Sequence, residues 1–453
     1  MAEERRSGVF IDADHPLVRQ VKAAGVIGSG GAGFPTHVKL SAQVPNFIIN
    51  GAECEPLIRV DQQLLVMYPD KLNRVLQTVV ECVGAECVYL AVKAKYKEVV
   101  EEWSDRLNPP DQVFQLDDFY PAGDEQTLIC EILQRIVPEM GIPTDVGALV
   151  HNVETLLNVA AAMDGHPVTY KYVTVGGGVQ NPITVRAPVG TPYRDLVEIA
   201  GGVTIEDPVY YDGGLMTGRH IASLDNPVTK TTKAILAIPS KLRCVQMRSL
   251  DRRSALRQVR AGCDQCRMCT DLCPRYLLGH TLEPHLIMRQ AAFNELSERI
   301  KDMSLLCCDC GVCEIYSCPV GIPPRTFISH IKNEEMAAGR RFEEEKRLPE
   351  YHERIIRRDR RVPAKRLIEK LGVKEFDKPA PFLDQSIQPI HLRLLMKQHI
   401  GRPADPRVRE GDRVEAEQVI GEIPEGEFGA HVHTPLKGIV REVTEKSVLI
   451  EVA

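Results

Sequence analysis

The chain has 453 residues, of which 43% are hydrophobic and 26% charged, and a formal net charge of −6. Its length calls for two to four domains, and its acidic balance carries no nucleic-acid footprint. No apolar run approaches the ~20 residues of a membrane span, and the N-terminal MAEERRSGVFIDADHP has no apolar stretch of the kind a secretory signal needs. These features read as a cytoplasmic chain, or one peripheral to a membrane.

HPLVRQVKAAGVI reads as a helix leading into GSGGAGFPTHVK (28–39), which contains a formal GxGxxG. A Rossmann dinucleotide fingerprint follows a strand, so this context is wrong for it. The bland reading is a flexible turn. Yet four glycines with Lys39 downstream would let backbone N–H groups approach a phosphate closely. Beyond it, VPNFIINGAE (44–53), CVYLAVKAK (87–95) and QVFQLDD (112–118) read as short buried strands. Residues 61–83 and 145–163 have the i, i+3, i+4 apolar spacing of helices. The alternation predicts a three-layer α/β domain over residues 1–168.

The texture changes at 169–240. YVTVGGGVQNPITVRAPVG has β-branched alternation broken by Gly and Asn-Pro, and TPYRDLVEIAGG reads as one short helix, together a small α+β module.

Fourteen cysteines are many for a long chain of this kind, and nine lie between Cys263 and Cys318, which argues for metal rather than disulfides. Cys263, Cys266, Cys269 and Cys273, with Pro274, have the spacing of the bacterial ferredoxin run. Cys307, Cys310, Cys313 and Cys318, with Pro319, repeat it with one extra residue. In two-cluster ferredoxins the fourth cysteine of each run ligates the other cluster. One cubane would take Cys263, Cys266, Cys269 and Cys318; the other would take Cys307, Cys310, Cys313 and Cys273. Cys308 falls out of register and is the spare. Zinc is the alternative, but it uses paired CxxC units rather than triple runs ending in Cys-Pro. Residues 283–303 read as a helix between the runs, within a domain spanning 241–335. Cys54, Cys82, Cys87, Cys130 and Cys244 read as buried apolar residues.

Residues 336–388 are highly charged with both signs interleaved, the pattern of a solvated helical linker. The tail, 389–453, carries turn-then-strand units, EGDRV and TPLKGIV, of the kind found in barrel-sandwich hybrids. A carrier of that shape presents a Lys at its hairpin tip; PEGEFG has none, so a structural or docking role is expected. His431 and His433, at i, i+2, read as a packed or solvated pair before a metal pair.

GSGGAGFPTHVK, NGAECEP (50–56), YPAGDEQ (120–126) and NVET (152–155) follow one another in the order of the flavin-binding blocks of the FMN subunit of respiratory complex I, which they resemble. The forms NGAECEP and YPAGDEQ are similar to those of the RnfC proteins of Rnf electron-transport complexes. The whole order, with CCDCG and the C-terminal barrel, resembles the cobalamin reductases of propanediol-utilisation microcompartments. The resemblance implies a multidomain α/β and α+β fold: a Rossmann-like FMN domain, an SLBB β-grasp, a helical double [4Fe–4S] ferredoxin-like domain and a barrel-sandwich hybrid. It implies that Gly28, Gly30, Gly31, Gly33 and Lys39 cradle FMN, and that Asn50, Glu53, Tyr120, Gly123, Asp124 and Asn152 line the rest of its site. Phe34, Glu55 and Glu125 would lie near the nicotinamide nucleotide. Two positions depart from the complex I pattern. Ala52 stands where an acidic residue is expected, and LSAQV after Lys39 lacks a second aromatic.

FMN beside two cubanes converts a hydride pair into single electrons. The expected function is an NADH-oxidising iron–sulfur flavoprotein that reduces cobalamin, and hydride transfer requires no catalytic side chain. One alternative is an electron-input subunit delivering to ferredoxin, a flavoprotein or quinone. Another is a non-catalytic electron-transfer adaptor. The resemblance further implies a redox partner protein or cobalamin as acceptor, membership of an oligomer or multi-subunit complex, and a place in the cytoplasm, in a microcompartment or at a membrane complex.

Overall fold

A computed structural model describes residues 15–31, 33–293 and 296–453. Four parallel strands form the first sheet, in the order Gln112–Leu116, Cys87–Lys93, Asn46–Asn50, Ala148–Asn152. Alternation along a strand sends successive residues to opposite faces. Phe47 and Ile49 accordingly join the core beneath helices Pro69–Val83 and Val153–Met163, whereas Ile48 joins Leu128 and Ile129 of helix Glu125–Leu133. The result is the three-layer arrangement that the alternation predicts.

Two segments differ from the sequence reading. Residues 145–163 are not one helix: ALVHN (148–152) is a strand of the parallel sheet, and the helix begins at Val153 with Asn152 as its cap. ALVHN is an apolar run buried on both faces, which periodicity alone does not separate from a helix. Residues 61–83 form two helices, Asp61–Met67 and Pro69–Val83. The break falls at Tyr68, where the following proline disfavours helical backbone.

The second module is a six-stranded mixed sheet with the helix Tyr193–Ile199. Its central strands Tyr170–Gly177 and Ala234–Pro239 are parallel, with antiparallel neighbours on either side. The cysteine region is helical, built on Arg252–Gly262, Pro284–Ala292, Glu298–Leu305 and Pro324–Ala337 around Ile287, Ile300, Phe327 and Ile331. The expected 283–303 helix is therefore two helices, with residues 294–295 outside the described ones.

The charged segment 336–388 is a strap rather than a solvated helix, and its longest helix is Ala364–Leu371. Val362–Pro363 pairs with Phe119–Tyr120, and Phe382–Leu383 adds an edge to the second sheet. Two of its arginines are held by carboxylates of the first domain: Arg361 bonds Asp117 and Glu131 at 2.6 and 2.5 Å, and Arg357 bonds Glu131 at 2.5 Å. Part of the charge that reads as solvated in sequence is here committed to ion pairs.

The tail folds into a four-stranded and a three-stranded sheet enclosing Leu392, Leu394, Ile420, Val432, Val440 and Ile450. It docks onto the first domain. The Phe428 ring in the hairpin meets Phe34 edge-on at 5.3 Å. Lys230, buried in the second module, donates to the carbonyls of Gly25 and His431, both at 2.7 Å, and so ties three modules together. His433 is a packed residue, its pKa pushed down to about 3 by burial.

Candidate functional site

The glycine loop starts where helix Pro16–Ala23 ends, and its neck is closed by the Gly28 N–H donating to the Phe34 carbonyl at 2.9 Å. Ser29 N–H donates to Thr155 Oγ1 at 2.9 Å, which anchors the loop on helix Val153–Met163. A Cβ on Gly30 would stand 3.2 Å from the Asn152 side chain, whereas one on Gly31 would meet nothing within 4 Å. The loop therefore packs on one side and is open on the other.

It opens onto a cavity of about 530 Å³, within the size range of cofactor sites. The first domain lines it with Ser29, Gly30, Gly31, Asn50, Glu53, Glu55, Asp61, Gly123 and Asn152. The second module adds the loop Asp212–Gly214 and Thr217–Arg219, with Thr231 and Lys233. The cysteine region closes it with Cys308 and Asp309.

Hydrogen bonds explain why these residues are held there. Asn50 donates to the Gly123 carbonyl at 2.9 Å, tying NGAECEP to YPAGDEQ. The Glu53 carboxylate accepts from the N–H groups of Val60 and Asp61 at 2.6 and 2.9 Å, capping the helix at Asp61. Burial, then the neighbouring Asp61, raises its pKa. Glu55 accepts from Met216 N at 3.0 Å and from Thr217 N and Oγ1 at 2.8 and 2.5 Å, clamping the loop of the second module over the cavity. Asn152 donates to Asp61 at 2.9 Å. Lys233 pairs with Asp61 at 2.5 Å and lies 3.4 Å from Glu154. Burial opposes its charge, but these carboxylates prevail and raise its pKa.

Seven residues of the sequence reading stand outside this lining. Gly28 forms the neck of the loop. A Cβ on Gly33 would stand 3.0–3.1 Å from Thr231, Gln398 and His399, and Phe34 packs on Phe428. Lys39 donates to Glu125 at 2.9 Å and to the Val150 carbonyl at 3.2 Å, so these two charged residues satisfy each other. Tyr120 donates to the Cys310 carbonyl at 2.8 Å. Asp124 takes both guanidinium nitrogens of Arg275, at 2.6 and 2.8 Å. Tyr120 and Asp124 therefore join the first domain to the cysteine region. Ser29, Asp61, Thr217, Arg219, Lys233 and Cys308 went unread in the sequence as cavity residues. The glycines of YYDGGLMTGR, which make the covering turn, are the one local signal that could have found some of them. Cys54 lies in the cavity wall, its thiol pushed up to about 12 by burial, and Cys87 is half-buried; neither is a plain core residue. Ala52 is fully buried.

Cys263, Cys266, Cys269 and Cys318 line a single pocket, as the exchange of fourth ligands between runs requires. Burial pushes the Cys269 thiol up to about 12, and the surrounding sulfurs add to the effect. In the second group a hydrogen bond with Cys308, then burial and the neighbouring Cys273 and Cys313, raise the Cys310 thiol well above its usual range, and burial with Cys307, Cys269 and Cys273 does the same for Cys313. Thiols gathered this way resist ionisation until a cationic centre neutralises them, which fits iron–sulfur ligation. Among the described residues, no three His, Cys, Asp or Glu side chains close around a single-ion position. Cys308 lies beside Cys310 but belongs to the cavity wall.

Residues 21–161 match the Nuo51 FMN-binding domain, 172–219 the SLBB domain, 262–323 the 4Fe-4S dicluster domain and 371–451 the RnfC barrel sandwich hybrid domain. The chain is 41% identical to the cobalamin reductase PduS of Citrobacter freundii, over 96% of its own length and 97% of that protein's. It is 40% identical to the Salmonella typhimurium PduS over 95% of each chain. The chain belongs to the PduS cobalamin reductase family. A more distant relative is a component of the Na(+)-translocating ferredoxin:NAD(+) oxidoreductase complex of Acetobacterium woodii, 32% identical over 59% of each chain. Membership makes the chain an oxidoreductase with FMN and [4Fe–4S] clusters as cofactors. Its four modules are those the sequence predicts. Among the described residues no helix is long and apolar enough to cross a membrane.

Proposed function

We propose that this chain oxidises NADH at a flavin held in the three-module cavity and delivers the electrons singly to a cobalamin. One observation carries the reading: the cavity has the glycine loop, Ser29–Gly31, in one wall and the cysteine-run residues Cys308–Asp309 in another. FMN, when bound, supplies the conversion between hydride and single-electron chemistry.

The chain's own residues place it. The open side of Gly31 and the N–H groups around it suit a phosphate, and Lys233 and Arg219 are cations of the same lining. Asn50, Gly123 and Asn152 form the wall beside it. The Glu55-clamped loop of the second module covers the cavity, and its Arg219 is available to a nucleotide phosphate entering there. Phe34 meets Phe428 edge-on, so one side of its ring is already in contact with the tail. The Cys273, Cys307, Cys310 and Cys313 site adjoins the cavity through Cys308. The site of Cys263, Cys266, Cys269 and Cys318 includes the exposed Cys266. Cobalamin as acceptor follows the PduS relatives, and a cytoplasmic site of action, in a microcompartment, follows the same kinship.

Anaerobic mixing of the reconstituted protein with NADH tests this. Flavin absorbance bleaches within seconds, and added cob(III)alamin or cob(II)alamin then restores it as the corrinoid is reduced. Bleaching without reoxidation by either corrinoid removes cobalamin as acceptor. No bleaching, with dithionite still reducing the clusters, removes NADH oxidation by this chain.

A further inference from the structure

The two cysteine sites differ in exposure. Cys273 and Cys313 are buried, and Tyr120 seals the Cys310 backbone against the first domain. Cys266, by contrast, is exposed, with Val320 exposed on the same pocket. The helix Arg252–Gly262 runs directly into Cys263, which caps its C-terminus. Arg253, Arg257 and Arg260 are exposed and share one face at i, i+4, i+7 spacing. Between Arg252 and Arg267 the chain has five arginines against one acidic residue, Asp264, although the whole chain is net acidic.

Local structure accounts for part of this charge. Arg252 pairs with Glu334, and Arg267 with Asp271. Arg260 favours the negative end of the helix dipole. Arg252 and Arg253, however, stand in the first turn, where a cation works against the dipole. Among the described residues, Arg253, Arg257 and Arg260 enter no ion pair. The face therefore carries charge that the helix does not require, along about 10 Å of surface leading to the exposed cysteine site.

We propose that this arginine face docks an acidic-surfaced protein electron carrier over the Cys263–Cys266–Cys269–Cys318 site. The inference rests on the electron-transfer reading above. NADH yields NAD⁺, a proton and two electrons; the docked carrier is an acceptor alongside cobalamin and takes one electron per encounter, so two encounters balance one NADH in turnovers where no cobalamin is reduced. Unpaired arginines bordering a redox centre fit such a partner because opposite charge steers encounter and orientation without a large buried interface. A stripe one helix wide that ends at a cysteine site fits a small protein better than a membrane plane.

The test uses holoprotein reduced with dithionite, so it does not depend on NADH oxidation. Binding and reoxidation are measured with a plant-type ferredoxin as the acidic probe and cytochrome c as the basic one, at low and high salt. The ferredoxin should bind at least tenfold more tightly than cytochrome c at low salt, and added salt should abolish the difference. In R253E/R257E/R260E the preference should reverse, with iron content, flavin content and ferricyanide reduction unchanged. The idea is overturned if the triple variant keeps the ferredoxin preference or if wild type shows none. It is equally overturned if the arginines govern binding to phosphatidylglycerol vesicles while ferredoxin binding stays unchanged. Failure of NADH to bleach the flavin would count against the proposed function alone.

Discussion

Asp124 and Arg275 form a bidentate ion pair, at 2.6 and 2.8 Å, between the flavin domain and the residue that follows Cys273-Pro274. The guanidinium is buried and the carboxylate is largely so. Asp124 also caps helix Glu125–Leu133 through Thr127 N–H at 3.0 Å. One carboxylate thus sets both the start of a helix and the seat of the cysteine region.

Burial alone would raise the Asp124 pKa, but Arg275 overrides it and holds the carboxylate below its usual range. Removing one partner of a buried pair leaves the other charge uncompensated, a loss of about 3 kcal/mol at this degree of exposure. Asp124→Asn should therefore lower thermal stability at pH 7 and loosen cluster retention. A depressed carboxylate pKa stabilises the fold above its unfolded value, near 4, and this is lost as pH falls through the folded value. The gap between wild type and variant should begin to narrow below about pH 4 and close as pH falls through the folded value. An undiminished gap there, by thermal denaturation across pH, would show that the pair is not its source.

Cys308 and Cys318 should separate cleanly in iron content. Cys308→Ala should keep about eight irons per chain, because Cys308 belongs to the cavity wall. With Cys310 bound to iron, the Cys308 S–H is left to donate to that sulfur. Hydrogen bonds to cluster sulfurs raise the potential, so its loss should lower one cluster's midpoint by tens of millivolts in an EPR titration. Cys318→Ala should instead damage the cluster held by Cys263, Cys266 and Cys269. Halved iron in Cys308→Ala would show that the ligand register is wrong.

The glycine loop offers a paired test. Gly30→Ala puts a Cβ 3.2 Å from Asn152 and should disturb the loop itself. The Cβ of Gly31→Ala meets only open space in the protein. It should leave melting temperature and iron content unchanged and yet lower the flavin-to-iron ratio severalfold. Full flavin content in Gly31→Ala would mean that the cofactor does not lie against that face.

Phe428→Ala removes the edge-to-face contact with Phe34, worth about 0.5–1.5 kcal/mol beyond the area lost. Because the partner ring follows Gly33, the effect should appear as faster FMN loss on dilution as well as reduced stability. Unchanged flavin release, read by fluorescence, would make the tail's contact with the loop purely structural.

Much of the architecture was legible because it is written in local patterns: cysteine spacing, glycine turns, and the short apolar runs of NFIIN and CVYLAVK. ALVHN was misread as helix because an apolar run that continues into a true helix has no boundary in composition. The strap was misread because mixed charge looks the same in solution as in pairs with Asp117 and Glu131. At the site, Gly30, Gly31, Asn50 and Asn152 were legible as motif members. Lys233, Arg219 and Cys308 were not, since their neighbours in sequence say nothing of the cavity and only tertiary assembly brings them to it. Tyr120 and Asp124 show the converse: motif residues whose contacts lie across a domain boundary.

The cavity wall at Cys308–Asp309 has a bearing on how the protein matures. A chain leaving the ribosome completes its glycine loop early, but the pocket has no third wall until some 280 residues later, and that wall is a segment that must also wrap iron. Flavin loading and cluster assembly are therefore steps of one maturation sequence. Chains starved of iron should emerge poor in flavin too, although no flavin-contacting residue has been altered.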